Sequence, residues 1–351
     1  MKVLVTGSTG LLGSHIVNLL LKNPKFDPVV LVRNNVNKWK ELGIEAYQGD
    51  LTDPESLKNL SKIDLFAVIH SGAKSGDWMT KEEAYSVNVE GTKNLIDNTP
   101  QIKRFIHIAT IGVYGHKPYK NIKEDFRYKK SGIYENSKID GEKLVESYIE
   151  KRKECKFIIL RPSTMYGEND RNFFPRLINY IQKGKFKFVG RGRVLFPVMH
   201  AEDGARAAIS TLEVNTESGS KYHVTGEETT MREFMTILSE KMNMVTDFST
   251  IPYYTALTLS YLYQLKGKLT HKEPYIFPKR IRYLGRTRHI NITKAQKDLN
   301  WSPRITLDEG IRRTLDFFYE EKEILEKKEK PSNSIITDSA IPYLIVKNVL
   351  T

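Results

Sequence analysis

Apolar residues follow two rhythms along this chain, and the change between them falls near residue 165. Before it, short continuous runs of branched and aromatic side chains alternate with longer stretches of helical spacing. "KVLVT" (2–6), "VVLVR" (29–33), "IEAYQG" (44–49), "LFAVIHS" (65–71), "RFIHIAT" (104–110) and "KFIILRP" (156–162) predict strands. Their apolar residues run on without alternating, as in strands covered on both faces. Helical spacing between them predicts helices over 10–22, 54–61, 80–98 and 134–153. Such alternation implies a parallel sheet with helices on both faces, because parallel strands need crossover connections.

After "RPSTMYG" the pattern is mixed. Helices are expected over 170–183, 203–213, 230–242 and 306–324, with short strands such as "FKFVG" and "YHVTG" between them. The expected organisation is a nucleotide-binding α/β domain over 1–165, a smaller mixed α/β substrate-binding region over 166–325 whose later segments return to the first domain, and a tail over 326–351. "KKEKPSNS" (327–334) reads as a flexible linker, and "IPYLIVKNVLT" is apolar enough to dock. No repeat occurs at solenoid spacing.

Composition narrows the choice. In 351 residues, 40% apolar and 28% charged side chains are ordinary for a globular protein. A net charge of +13 favours anionic partners: a nucleotide, an acidic substrate, a membrane surface or nucleic acid. The basic residues form no recognised nucleic-acid module, so nucleic acid is not expected. The single cysteine, Cys155, excludes an internal disulfide and a cysteine-built zinc site, and no metal is expected. "MKVLVTGSTG" enters a strand directly and lacks the features of a signal peptide, so a cytoplasmic location is expected.

"TGSTGLLG" (6–13) sets Gly7, Gly10 and Gly13 between the first strand and the first helix. Gly7 permits a tight turn, Gly10 lets backbone approach a pyrophosphate, and Gly13 lets the helix pack closely. The helix N-terminus adds free N–H groups and a positive dipole. Glycine triplets also occur in plain turns, but this one sits between strand and amphipathic helix, as a Rossmann-type doubly wound sheet requires. The second strand ends in "LVRN". An acid there holds the ribose 2′-hydroxyl of NAD, whereas Arg33 suits the 2′-phosphate of NADP, with Lys38 and Lys40 nearby. NADP is the expected cofactor, with NAD the alternative. Asp50, in "GDLTD", is a candidate partner for the adenine amine, while Asp53 and Pro54 read as a helix cap.

Four tyrosines have a lysine four residues on: Tyr119, Tyr134, Tyr275 and Tyr343. Tyr119 lies in a loop flanked by proline, Tyr275 precedes a proline and Tyr343 is in the tail. Tyr134 opens the helical run "YENSKIDGEKLVESYIEK", and Lys138 shares its helix face. A phenol near pKa 10 is a poor base, and an adjacent ammonium lowers that value. Thr110, at the end of the fifth strand, is placed to hydrogen-bond a substrate oxygen. Asn88, in "NVEGT", is either an ordering group behind the lysine or a helix-surface residue.

The chain resembles the extended short-chain dehydrogenases/reductases of the NAD-dependent epimerase/dehydratase superfamily over about residues 1–320. "TGSTGLLG", "GDLTD", "VIHSGAK", "NVEGT", "ATIGVYG", "YENSK", "LRPSTMYG", "MHAEDGARA" and "LNWSPRITLDEGI" carry the likeness, in the superfamily's order. The resemblance implies Thr110, Tyr134 and Lys138 as catalytic triad, with Asn88 in support. It implies cofactor contacts at Gly7, Thr9, Gly10, Leu11, Leu12, Gly13, Asp50, Leu51 and Lys138, with Ala73 and Pro162 at the nicotinamide end. Sugar-nucleotide members commonly show an "RYFN"-like run and an Arg-Asp pair before "H-x-x-D". This chain has "RPST" and "RVLFPVMHAED" there. "HSGAKSGDW" and "PKRIRYLGRTRHINITKAQKDLNW" resemble instead the 3β-hydroxysteroid dehydrogenase and dihydroflavonol 4-reductase branch. That implies a ketone/alcohol oxidoreductase for an apolar substrate of steroid, flavonoid or 3-oxo acid type. A nucleotide-sugar 4-epimerase or dehydratase is the alternative, and a non-catalytic NADPH sensor a third reading.

Residues 249–265 are uncharged and rich in Tyr and Leu, yet too short and hydroxyl-rich for a membrane span. The next segment, 266–294, holds nine Lys and Arg against one acid, Glu273. Either the apolar stretch roofs the substrate pocket and the cations are solvated, or the two form a peripheral membrane contact. A homodimer is left open.

Overall fold

A computed structural model describes residues 1–244, 247–274, 276–328 and 345. Seven strands form one sheet: β1 (Lys2–Thr6), β2 (Asp27–Val32), β3 (Glu45–Gln48), β4 (Leu65–His70), β5 (Arg104–Ile108), β6 (Lys156–Pro162) and β7 (Lys221–Val224). Their order is β7-β6-β5-β4-β1-β2-β3 and every pairing is parallel. The chain runs outward from β1 in one direction, then restarts at β4 on its other side. A crevice opens at that reversal, beyond the carboxyl ends of β1 and β4. Thr6 and His70 face each other there, Oγ1 to Nδ1, at 2.7 Å.

The helices used below are α1 (Leu11–Leu21), α2 (Gly91–Asp97), α3 (Ile133–Ile149), α4 (Phe173–Gln182), α5 (Ala201–Glu213), α6 (Met231–Lys241), α7 (Tyr253–Thr270), α8 (Pro278–Leu284) and α9 (Leu307–Lys328). Helix α5 lies against α1, and small residues allow the approach: a Cβ on Gly204 would sit 3.2 Å from Leu12 Cδ1. The C-terminal region has its own aromatic core, with Tyr166, Phe174, Phe188, Phe196 and Phe234 buried among α4, α6 and α9. It is stitched back by Asp203, whose carboxylate accepts the Arg304 and Ile305 N–H groups at 2.9 and 3.1 Å. Trp301 Nε1 donates to the Asp203 carbonyl at 3.0 Å, so "MHAED" and "LNWSPRI" meet as one structural joint.

Helix α3 is pinned to the sheet by a buried ion pair: Arg161 on β6 donates to Glu142 at 2.6 Å, both at most 1% exposed. Cutting one member would strand the other charge in the interior. Cys155 is buried beside the sheet, and burial pushes its thiol up to about 11.

Several details differ from the sequence expectation. The stretch 80–98 is helical throughout, but a π-turn at Ser86–Glu90 interrupts it before α2. Tyr119 is not in a loop: it is buried and starts a strand, Tyr119–Ile122, paired with Arg288–Ile290. Residues 253–270 form helix α7, where only an apolar stretch was legible. Of the expected linker, residues 327 and 328 end α9 and the rest lies outside the described residues. So does the tail from residue 329 on, apart from Ile345, which is buried in the same cluster as Val3 and Ile16.

Candidate active site

Strand β1 ends at Thr6 and Gly7 turns the chain at φ 68°. A side chain at Gly7 would also collide with backbone, since its Cβ would lie 2.7 Å from Gly72 N. At Gly13 a Cβ would stand 2.1 Å from the Gly7 carbonyl oxygen, so α1 can start this close to the loop only with glycine there. Gly10 N donates to Gly7 O at 2.9 Å and closes the turn. Helix α1 has no side-chain cap and no acid in its first turn. Its N-terminal N–H groups therefore suit a bound anion, and the loop fits a dinucleotide pyrophosphate. The Thr9 carbonyl accepts from Asn169 Nδ2 at 3.2 Å, a brace that the sequence did not reveal. Leu11 is partly buried, whereas the Leu12 side chain belongs to the core.

At the far end of the crevice, Arg33, Gln48, Asp50, Asp53 and Ser56 line one open cleft. Arg33 is exposed. Asp50 Oδ1 accepts the Thr52 N–H and hydroxyl, both at 2.8 Å. The Thr52 N–H, its hydroxyl and the Arg33 charge together hold the Asp50 carboxyl below its ordinary value, against burial. Asp53 caps the following helix, accepting from Glu55 N at 3.1 Å. The Leu51 carbonyl accepts from Asn94 Nδ2 at 2.9 Å. Ala73 is exposed in the loop after β4, and Pro162 is buried at the end of β6.

Lys138 is 3% exposed, and its Nζ donates to the Ile108 carbonyl at the end of β5 at 2.5 Å. Burial pulls its pKa down to about 8, against the pull of Glu142 one turn on. Thr110, two residues beyond Ile108, accepts the Gly112 N–H on Oγ1 at 3.1 Å. The first turn of α3 rests on this segment, since a Cβ on Gly112 would lie 3.2 Å from Glu135 Cγ.

Asn88 is buried in the π-turn, not on a helix surface. Its Oδ1 accepts Lys74 N at 2.8 Å, and its Nδ2 donates to Lys74 O and to Ser137 Oγ at 3.0 and 2.9 Å. Ser137 in turn donates to the Tyr134 carbonyl at 2.8 Å. Asn88 thus joins the loop after β4 to the turn carrying Tyr134 and Lys138.

The Tyr134 phenol departs from expectation. Burial pushes it up to about 12, Glu135 adds to the rise, and the opposing cation is Lys279 on α8. Lys138 instead faces the Ile108 carbonyl. Lys279 bridges Glu135 and Asp77 at 2.7 and 2.9 Å, tying α8 to α3 and to the loop after β4. Arg280 extends the network to Asp77 and Glu273 at 2.7 and 2.8 Å. Burial would raise the Glu135 carboxyl, but His116 and Lys279 hold it below its ordinary value. Sequence reasoning missed Glu135, Asp77 and Lys279 as a group, because no local spacing links positions so far apart. Of the other tyrosines, Tyr275 and Tyr343 lie outside the described residues.

Residues 3–225, well over half of the chain, match the profile of the NAD dependent epimerase/dehydratase family, and the chain belongs to that family. It is 28% identical to a protein named "Uncharacterized protein YbjS" of Escherichia coli (strain K12), over 90% of this chain and 96% of that one. It is 29% identical to 3beta-hydroxysteroid-dehydrogenase/decarboxylase isoform 1 of Arabidopsis thaliana, over 90% and 79% of the two chains. The fold matches UDP-glucuronic acid 4-epimerase from Bacillus cereus, solved with NAD, at a TM-score of 0.72 and 23% identity, covering 92% and 99% of the two chains. At that identity the likeness is one of fold. The protein is an NAD(P)-dependent dehydrogenase/reductase of the extended short-chain type.

Proposed function

We propose that the protein interconverts a ketone and a secondary alcohol on an apolar substrate, with NADP(H) as its redox partner. The observation that carries this reading is the bond from Lys138 to the carbonyl that ends β5, two residues before Thr110 and one helical turn after Tyr134. A bound nicotinamide dinucleotide supplies or accepts the hydride. Tyr134 handles the proton: its neutral hydroxyl protonates the carbonyl oxygen in reduction, and its phenolate takes the hydroxyl proton in oxidation. Thr110 Oγ1 already accepts from Gly112, which leaves its O–H to donate to the same substrate oxygen. The Lys279 charge favours phenolate character, and we assign Lys138, held at the Ile108 carbonyl, to the cofactor ribose.

Two observations support an apolar substrate. The Trp78 and Phe277 rings lie tilted against each other with centres 5.9 Å apart, on the two segments that Lys279 and Asp77 bind together beside Tyr134. The Arabidopsis relative is, by its name, a hydroxysteroid dehydrogenase. Arg33 beside Asp50 supports NADP over NAD. The test is to follow NADPH consumption by the purified protein against steroid, flavonoid, 3-oxo acid and UDP-sugar panels. Turnover of an apolar ketone is expected. Conversion of a UDP-sugar without net NADPH consumption would replace this reading with epimerase or dehydratase chemistry.

A further inference from the structure

Helix α7 is packed inside out. Its buried residues are the small ones, Ala256, Ser260 and Gly267, spaced to face the protein body. The fit is close: a Cβ on Gly267 would stand 2.6 Å from Pro274. The opposite stripe runs Tyr254, Thr258, Leu262, Leu265 and Leu269, at spacings of three and four. Tyr254 is 80% exposed, Leu262 60%, Leu265 57% and Leu269 75%. These side chains do not roof a pocket. A ridge of large apolar groups turned to water is the mark of an unmet contact.

We propose that this face of α7 is a peripheral membrane-docking surface for an anionic lipid bilayer. Exposed Lys266 and Lys268 flank the leucine ridge on its two sides, and exposed Lys272 follows in the next turn. None of the three makes an ion pair among the described residues. The one acid within 253–294, Glu273, is already taken by Arg280 and Arg176 at 2.8 and 3.5 Å. The neighbouring basic cluster divides accordingly, with Lys279, Arg280 and Arg288 turned into the protein and the α7 lysines outward. Apolar residues with tyrosines, flanked by lysines, meet both demands of an interface: insertion among acyl chains and attraction to anionic headgroups. Crossing is excluded for this helix, since no helix among the described residues is long and apolar enough. Helix α7 packs on α8, which carries Lys279 beside Tyr134, so the docked face lies one helix from the phenol.

The test is co-sedimentation of the full-length protein with vesicles of phosphatidylcholine, or of equimolar phosphatidylcholine and phosphatidylglycerol. The expected result is binding to the anionic vesicles at low salt and release at high salt, where screening shortens below about 10 Å. Lys266→Gln with Lys268→Gln should weaken partitioning about 25-fold, from roughly fivefold for each cation. Leu262→Ser with Leu269→Ser should weaken it by about tenfold or more. Both double variants should keep the parent's melting temperature and cofactor affinity, because the altered side chains point outward. Absence of binding to anionic vesicles at low salt, or binding that neither variant reduces, overturns the proposal. So does a concentration-dependent dimer that the leucine variant dissolves, which would give the face to a second copy.

Discussion

The ammonium of Lys279 lies 5.9 Å from the centre of the Tyr134 ring, fixed there by the carboxylates of Asp77 and Glu135. A cation at that range stabilises phenolate, while the burial and the Glu135 charge oppose it. Lys279→Met should therefore raise the phenol's pKa further and move the rising limb of the alcohol-oxidation pH profile by about one unit to alkaline. Lys279→Arg should restore most of the profile. Because the methionine variant strands Glu135, the double variant Lys279→Met with Glu135→Gln is the control for folding. An oxidation profile unchanged in both would remove Lys279 from the electrostatics of the phenol.

Tyr134→Phe deletes the proton donor and leaves the ring in place. Turnover should fall by about 10²–10⁴-fold while NADPH affinity, measured by fluorescence titration, stays within about twofold. Retention of more than about a tenth of the activity would place the acid elsewhere. Asn88→Ala offers the complementary case: it loosens the Lys74 and Ser137 links without touching the reacting atoms. It should lower kcat and leave the phenol's pKa limb where it was.

Much of this was legible because it is local. Most of the β-strand expectations before residue 165 rested on runs of branched residues, and each expected segment contains a strand of the sheet. The glycine loop was legible since Gly13 answers to the Gly7 carbonyl six residues back, whereas the approach of Gly72 to Gly7 was not. Tyr134 and Lys138 share one helix, so their spacing was visible in the sequence, but not that Lys138 turns to the Ile108 carbonyl. What stayed hidden depends on distant pairings. Asp77, Glu135 and Lys279 come from three separate elements, and in sequence Lys279 was one more cation in a basic run. Helix α7 was hidden for another reason. Its large apolar residues face outward, so the usual inference from apolar to buried could not orient it.

Cofactor choice is tested at Arg33, which stands exposed at the cleft it shares with Asp50. Arg33→Asp would set a carboxylate where a 2′-phosphate is expected and offer an acceptor to a 2′-hydroxyl instead. The ratio of kcat/KM for NADPH over NADH should fall by about tenfold or more, since charge-assisted bonds contribute about 1.5–3 kcal/mol. A parent enzyme that prefers NADH would show that Arg33 does not read the 2′ position.

Lys138 sets stability against function, and the sign can be worked out. Unfolded, a lysine titrates near 10.5; in the folded chain burial brings Lys138 to about 8. Between those values the unfolded chain binds a proton that the folded chain does not. Stability therefore declines as pH falls from 10.5 to 8, and the full penalty is present below 8. That penalty is on the order of 3 kcal/mol, offset by about 1.5–3 kcal/mol from the charge-assisted bond to Ile108. Lys138→Met should thus melt no lower than the parent at neutral pH without cofactor, and any gain should fade as pH rises past 8. With saturating NADPH the parent should melt above the variant, because the parent gains stability through its cofactor contacts while the variant, lacking the ammonium, gains less. A variant that melts below the parent at neutral pH without cofactor would show that the Ile108 bond outweighs the buried charge. Equal stabilisation of both proteins by NADPH would contradict a role for Lys138 at the ribose.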